Sequence, residues 1–119
     1  MTPALSQVCS LPAPFEKDIE DYAAGHCGAI EIWLTKLETY FESHSVDDAR
    51  RLLEKHELTA SVASFQGGLL VSQGEARREH WAHFARRLEL CQAIGVATLV
   101  IAGDVLVPIS QQDFECSLE

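Results

Sequence analysis

The order of secondary structure along this chain is the feature that most restricts its fold. Short β-rich stretches alternate with amphipathic helical stretches, and four such units follow one another within 119 residues. Strands separated by helices pair in parallel through right-handed crossovers. Four units in this order leave two architectures: a small doubly wound sheet, or the N-terminal half of a (β/α)₈ barrel.

The predicted elements fill the chain as a single domain, 1–119. We predict strands at about 5–10, 29–34, 58–65 and 96–102. We predict helices at about 14–24, 46–56 and 75–94, and the start of a fourth near 111–119. Ser45 and Asp48 have the spacing of a capping box, and the polar stretch 35–44 is interpreted as a linker. The longest helix shows an apolar stripe that we expect to face the core: Trp81, Phe84, Ala85, Leu88 and Cys91.

The second strand favours the barrel. Side chains alternate along a strand, so Ile30 and Ile32 point to one face while Glu31 and Trp33 point to the other. Apolar helices cover both faces of a doubly wound sheet, where a carboxylate in mid-strand would be costly. A barrel interior near its mouth can hold one. We therefore predict an α/β fold, the N-terminal half of a TIM (β/α)₈ barrel; a full barrel takes ~250 residues, so we expect this to be a truncated barrel.

Composition excludes several classes of protein. Hydrophobic residues make up 47% of the chain, which argues against disorder, and no apolar run approaches the ~20 residues of a membrane span. The N-terminus lacks the features of a signal peptide, so we expect a cytoplasmic protein. The net charge of −9 argues against binding to nucleic acid or to anionic membranes.

The cysteines are widely spaced and form no C-x-x-C pair, which argues against a zinc knuckle or a thioredoxin-like motif. We expect reduced thiols at Cys9, Cys27, Cys91 and Cys116. Cys9 and Cys91 lie in apolar patterns and are predicted to be small core residues.

Three stretches, in the right order, carry a family resemblance. They are Gly-Ala-Ile-Glu-Ile-Trp at 28–33, the helical run at 47–58 that leads into strand three, and the run at 86–96 whose Ala-Ile-Gly-Val leads into strand four. Together they resemble the N-terminal half of the sugar-phosphate isomerase/epimerase family of xylose-isomerase-like TIM barrels. Relatives in that superfamily include inosose dehydratases, hydroxypyruvate isomerases, ketose 3-epimerases and endonuclease IV. His56-Glu57 stands where the family often has a glycine.

The resemblance implies an activity for the complete barrel. In this family a divalent metal (Mn, Mg or Zn) assists proton transfer next to a carbonyl of a small sugar or polyol, or of a sugar phosphate. The family's metal ligands and its acid and base lie mostly on strands five to eight. No position of this sequence inherits those roles, so the catalytic residues are unknown and would lie beyond Glu119. We expect this chain alone to be inactive and to hold no metal.

The ends of the predicted strands supply candidate substrate-binding residues, because barrel sites lie at the carboxyl ends of strands. Trp33 would stack on a sugar face, or else pack inside the barrel. Lys36 would pair with a substrate phosphate or with Glu31, or else lie solvated in a loop. Gln66 before two glycines would bind a hydroxyl, or else belong to an ordinary turn, and Asp104 has the same alternatives.

Other constellations give weaker predictions. His80 and His83 are three residues apart on a helix of the outer ring, far from the mouth, so we predict no metal site there. An endonuclease IV-like nuclease is one alternative function, disfavoured because no histidine follows strand three or strand four. A non-catalytic half-barrel that dimerises is another, since its open strand edges need covering. We expect a homo-oligomer or completion by a missing C-terminal half.

Overall fold

The computed structural model describes residues 2–103, 110–116 and 118. Its strands are β1 (Leu5–Ser6), β2 (Ala29–Trp33), β3 (Thr59–Gln66) and β4 (Leu99–Ile101). Its helices are α1 (Phe15–Ala24), α2 (Leu34–Tyr40), α3 (Val46–Lys55), α4 (Gly74–Ile94) and α5 (Gln111–Cys116). A short 3₁₀ helix, Gln7–Ser10, follows β1 directly.

The four strands form one parallel sheet in the order β1-β2-β3-β4. Strand order that follows chain order is the arrangement of a barrel segment, whereas a doubly wound sheet rearranges its strands about the first. The predicted fold class, the N-terminal half of a TIM barrel, is therefore confirmed. No helix in the described part of the chain is long and apolar enough to cross a membrane.

The core lies between the sheet and the helices on one of its faces. Ile30 and Ile32 of β2 are fully buried, as are Phe15 and Ile19 of α1, which belong to the same apolar cluster. Glu31 and Trp33, on the other face of β2, are half-buried. The alternation predicted for β2 thus holds, and it leaves a polar and aromatic face toward the inside of the curved sheet.

Two predicted strands are shorter than expected. The first, predicted over 5–10, ends at Ser6, because the Ser6 hydroxyl accepts a hydrogen bond from the Val8 N–H at 3.3 Å and begins the 3₁₀ helix. The turn leaves Cys9 exposed, so the prediction that it is a core residue was wrong, while Cys91 is buried as predicted. The fourth, predicted over 96–102, begins at Leu99, since the Val96 N–H bonds back to the Cys91 carbonyl past Gly95, whose φ is +81°.

Two helical features also differ from the prediction. The predicted linker at 35–44 overlaps α2 (Leu34–Tyr40), whose Leu34, Leu37 and Tyr40 are buried at helical spacing. On α4 the buried side chains are Arg87, Cys91 and Ile94, so Cys91 of the predicted stripe is buried while its other four residues lie outside the core. By contrast, α3 begins with the predicted capping box, with both reciprocal bonds formed between Ser45 and Asp48.

Candidate functional site at the mouth of the sheet

The carboxyl ends of β1, β2 and β3 meet at one edge of the sheet, the position of the active-site mouth in barrels of this type. Glu31 lies on the inner face here, between the neighbouring strands. Its Oε1 accepts hydrogen bonds from the Ser6 hydroxyl at 2.8 Å and from the Ser64 hydroxyl at 2.5 Å. One carboxylate therefore links three adjacent strands, and the cost of placing its charge on the sheet is offset by two donors.

Two aromatic rings lie beside this carboxylate, on the same ends of β2 and β3. Trp33 and Phe65 stack with ring centroids 4.9 Å apart and planes 19° from parallel. Phe65 is 40% exposed and Trp33 is half-buried. The pair forms an accessible aromatic platform, a surface suited to the C–H face of a ring-shaped ligand.

A buried ion pair supports the β1 and β2 ends from behind. Asp18 of α1 receives hydrogen bonds from the Gln7 amide at 3.0 Å, the Ser10 hydroxyl at 2.7 Å and the Lys36 ammonium at 2.6 Å. Gln7 in turn accepts from the Trp33 N–H at 3.0 Å, so the network holds the backbone at the end of β2. The Asp18 and Lys36 side chains are only 1% and 8% exposed.

Tyr22 closes this network on the α1 side. Its hydroxyl bonds to the Ser10 hydroxyl and donates to the Ser6 carbonyl at 3.1 Å. Burial raises the pKa of Tyr22, and the nearby charge of Asp18 raises it further, against the opposing effect of the Ser10 hydrogen bond. The phenol therefore stays protonated and remains a donor across the neutral pH range.

Lys36 is neither a solvated loop residue nor paired with Glu31, the alternatives considered from the sequence. It lies on α2 and is bound by Asp18 and by the Ser10 carbonyl, at 2.7 Å, and its ion-pair partner is Asp18 rather than Glu31. A groove of about 470 Å³ opens nearby, between the loop at 11–16 and α2. Trp33 and Lys36 both line this groove. Direct contact of either residue with a substrate stays a prediction.

A second ion pair, formed by Arg87 and Glu38, supports the end of β3. Arg87 of α4 bonds both oxygens of Glu38 on α2 at 2.8 Å, and its Nη1 donates to the Phe65 carbonyl at 2.8 Å. Arg87 Nη1 also approaches Gln66 Oε1 at 3.4 Å, and His83 Nε2 lies 2.7 Å from Glu38 Oε1. Burial alone would raise the pKa of Glu38, but hydrogen bonds from Arg87 and His83, and their charges, hold it below its ordinary value.

Gln66 and the two glycines that follow it make contacts within this chain. The Gln66 amide donates to the Gly67 carbonyl at 2.7 Å, and its side chain is buried against Arg87. Gly68 has a φ of +77°, and a Cβ there would lie 2.5 Å from the His80 ring. The close approach that the glycines permit is thus made by His80 of this chain, and a substrate contact for Gln66 stays a prediction.

The remaining candidates divide as follows. Asp104 lies outside the described residues. His80 packs over Gly68 and His83 bonds to Glu38. Within 2–103 and the described part of 110–118, no three His, Cys, Asp or Glu side chains are grouped so as to hold a metal ion. The divalent metal that the resemblance implies therefore does not fit the described residues of this chain.

Sequence reasoning missed most of the residues that build the mouth. Asp18, Glu38 and Arg87 sit among exposed acidic and basic neighbours on their helices, and nothing in composition marks them. One usable signal exists for Arg87, which shares a helical face with Cys91 and Ile94 at spacings of four and three residues. Phe65 could be found only from the register of β2 against β3.

Comparison with solved structures identifies the same architecture elsewhere. The IOLI protein with a bound zinc atom matches at a TM-score of 0.84 and 21% identity, over 98% of this chain and 43% of its own. A xylose isomerase-like TIM barrel/4-hydroxyphenylpyruvate dioxygenase fusion protein matches at 0.74 and 18% identity, over 99% of this chain and 19% of its own. No protein-family profile and no curated protein matches the sequence. The predicted resemblance to xylose-isomerase-like barrels is confirmed for the fold, and the chain spans less than half the length of either structure.

Proposed function

We propose that this chain forms the N-terminal, substrate-binding wall of a sugar or polyol isomerase/epimerase barrel. The reaction proposed for the complete barrel is metal-assisted proton transfer next to a carbonyl. The single observation that carries the proposal is the Trp33–Phe65 platform beside Glu31, at the end of the sheet where barrel enzymes bind their substrates. The fold of the two matched structures supports it.

The chemistry of this wall suits a polyhydroxylated ligand. An aromatic face packs against the C–H groups of a sugar, and polar groups at its edge fix the orientation. Glu31 Oε1 holds the two serine hydroxyls. Among the described residues no hydrogen bond reaches Glu31 Oε2, which is therefore suited to accept from a substrate hydroxyl. The role assigned to this wall is binding and orientation; the metal and the acid and base belong to other strands of the barrel.

The test is a fluorescence titration that reports on Trp33 alone. The chain has two tryptophans, so Trp81→Phe gives a background in which Trp33 is the only tryptophan, and excitation at a wavelength that tyrosine does not absorb reports on it alone. Titration with D-fructose and with D-fructose 6-phosphate should change the emission with a dissociation constant of about 1 mM, as expected for one open wall of a site. Glu31→Gln should weaken binding about tenfold through the loss of a charged acceptor.

A matched control distinguishes loss of the Glu31 contact from the general effect of removing one negative charge. Glu54→Gln alters an exposed carboxylate on α3 and should leave the titration unchanged. An unchanged Trp33 emission with both sugars, or equal binding by Glu31→Gln, would contradict the proposal. A preference for the phosphorylated sugar would show that a cation also reaches the ligand, and Asp18→Asn with Lys36→Met, which leaves no unpaired buried charge, would then test the predicted contact of Lys36.

A second function, a non-catalytic half-barrel that associates with itself, is favoured by one observation. Val100 and Ile101 of β4 are large apolar side chains left exposed at the edge strand of the sheet. Such edges template association. Sedimentation velocity distinguishes the two functions, because this second function requires a stable dimer that shows no response to sugars.

A further inference from the structure

The groove of about 470 Å³ between the loop at 11–16 and α2 leads away from the mouth. Trp33, one ring of the aromatic platform, also lines the groove. From Trp33 the lining follows one face of α2 through Lys36 and Tyr40, and it reaches His44 just beyond the helix. At a rise of about 1.5 Å per residue, the stretch from Trp33 to Tyr40 alone is about 10 Å long. The groove therefore continues past the place where a sugar ring would stack on the platform.

Both walls of the groove belong to the part of the chain that the structure describes. The loop at 11–16 leads from the end of β1 into α1, and α2 follows β2 directly. The groove thus lies between the first and the second strand–helix units of the barrel. The helices of the remaining units follow β4 and precede β1 around the ring, so none of them packs between these two walls.

The floor and the rim of the groove are apolar. Phe15 and Tyr40 are almost completely buried beneath it, with ring centroids 5.0 Å apart, whereas Leu11 is 54% exposed at its rim. Pro12 and Pro14 add two further apolar rings to the same wall. An aromatic floor with an open apolar rim suits a flat apolar group of a ligand.

The Ser and Thr hydroxyl groups of the groove already have partners within the chain. The Thr39 hydroxyl donates to the Thr35 carbonyl at 3.0 Å, and the Thr35 hydroxyl accepts from Arg87 at 3.3 Å. The Ser43 hydroxyl lies 3.0 Å from His44 Nδ1. A second sugar ring would have to compete for these hydroxyl groups, whereas an apolar group would leave their hydrogen bonds in place. The groove is thus better suited to an apolar group than to another sugar.

The charges around the groove disfavour a phosphate. Lys36 is only 8% exposed and is already paired with Asp18 at 2.6 Å. The N-terminus of α1, a type of site that attracts anions, carries Glu16 and Asp18 in its first turn. Burial raises the pKa of Tyr40, and the charges of Asp48 and Glu16 raise it further, so negative charge also acts at the far part of the groove.

We propose that this groove binds an uncharged aryl group, carried by the sugar or polyol whose ring stacks on the platform. The inference rests on the proposed function, because it takes the ring to lie on Trp33 and Phe65. It narrows the ligand class, since an aryl-substituted sugar should be preferred to a free sugar and to a sugar phosphate.

Matched derivatives of one sugar test the proposal through the Trp33 emission in the Trp81→Phe background. D-fructose is compared with its methyl ether, benzyl ether and phosphate at O1, and with the same three derivatives at O6, because the ring has two ends. At one of these positions the benzyl ether should bind about tenfold more tightly than the methyl ether. The phosphate at that position should bind no more tightly than the methyl ether.

Two variants locate the effect in the groove. Leu11→Ser removes exposed apolar surface from the rim and should reduce the benzyl gain to about threefold, with D-fructose binding unchanged. Thr39→Lys places a cation in the groove from an exposed position on α2 and should tighten binding of the phosphate about fivefold. Gln92→Lys adds the same charge at an exposed position on α4 and should change neither affinity. Circular dichroism checks that each variant keeps its helix content.

The possible failures of this inference and of the proposed function are distinguishable. Benzyl ethers that bind no more tightly than the methyl ethers, with D-fructose still bound, would overturn the inference and leave the proposed function in place. Tighter binding of a phosphate than of the benzyl ether by the unaltered groove would do the same. An unchanged Trp33 emission with all of these sugars would overturn the proposed function, and this inference with it.

Discussion

The ion pairs Asp18–Lys36 and Glu38–Arg87 each hold the end of a strand at the mouth, but they differ in their exposure to solvent. Asp18 and Lys36 are sealed from water, at 1% and 8% exposure, and the Asp18 carboxylate accepts hydrogen bonds from Gln7, Ser10 and Lys36. Glu38 is 28% exposed although its partner Arg87 is only 8% exposed, and His83 shares the same carboxylate. The first pair is closed to solvent, whereas the second opens to solvent on one side.

The difference in exposure distinguishes the two strand ends at the mouth. The closed pair fixes the end of β2 through Gln7 and the Trp33 N–H. The open pair fixes the end of β3 through the Phe65 carbonyl. Since Trp33 and Phe65 stack, one edge of the aromatic platform is held by a network sealed from solvent and the other by a network that solvent reaches at Glu38. The following changes test this contrast, from the largest expected effect to the smallest.

Removing Asp18 should have the largest effect. Asp18→Asn leaves the Lys36 ammonium buried without its counter-charge, so the free energy of unfolding should fall by about 3 kcal/mol. Urea unfolding measures this change. The double variant Asp18→Asn with Lys36→Met should recover part of the loss, because no unpaired charge then remains buried. A double variant no more stable than Asp18→Asn would contradict the assignment of the cost to Lys36.

Removing Arg87 should have a smaller effect on stability and a specific one on the platform. Arg87→Met keeps the buried volume but leaves the Phe65 carbonyl without a donor, and Glu38 can still be reached by water. We expect a loss of about 2 kcal/mol by urea unfolding. The near-ultraviolet circular dichroism of the Trp33–Phe65 stack should also weaken. Arg86→Met, on the exposed side of the same helix, should change neither signal.

Acid should act through the open pair. The pKa of Glu38 is held below its ordinary value of 4.5, so the ionised carboxylate stabilises the folded chain above that pH. This stability is lost as the pH falls from the unfolded-state pKa through the lower folded-state pKa. Asp48, whose pKa is also lowered by its hydrogen bonds with Ser45, contributes in the same direction. Glu38→Gln should flatten the acid limb of a stability-against-pH curve, and an identical slope in this variant would contradict the assignment.

The exposed pair Lys17–Asp21 should have the smallest effect. Both side chains are more than half exposed, although their 2.6 Å separation equals that of Lys36 and Asp18. Solvent screening removes most of the benefit of such a contact. Asp21→Asn should therefore leave the urea midpoint unchanged within error. A loss comparable to that of Asp18→Asn would show that burial is not what separates the two pairs.

Parts of the fold could be predicted from the sequence where a local pattern alone determines the structure. The alternation in β2 and the Ser45–Asp48 capping box are local signals, and both were predicted. The α2 helix was missed because its polar residues obscure three apolar positions at helical spacing. Of the stripe predicted on α4, Cys91 is buried, but Trp81 and Leu88 are exposed because tertiary contacts bury Arg87 in their place.

The candidate site was less accessible to sequence reasoning. Trp33 and Gln66 were placed correctly at strand ends, because strand ends can be located from periodicity. Phe65, Asp18 and Arg87 come from separate elements, and their proximity depends on sheet register and on helix packing. Neither is encoded in a local pattern, so those side chains appear as ordinary loop, helix and surface residues until the fold is known.

The most direct test of the mouth site is the position of ligand contacts on the sheet. Backbone amide chemical shifts, measured in ¹⁵N-labelled protein during titration with D-fructose, map them residue by residue. We predict that the largest shifts fall at Ser6, Glu31, Trp33, Ser64 and Phe65, the carboxyl ends of three adjacent strands. Shifts confined to the opposite ends of the same strands, around Gly28 and Thr59, would contradict a barrel-type site in this chain.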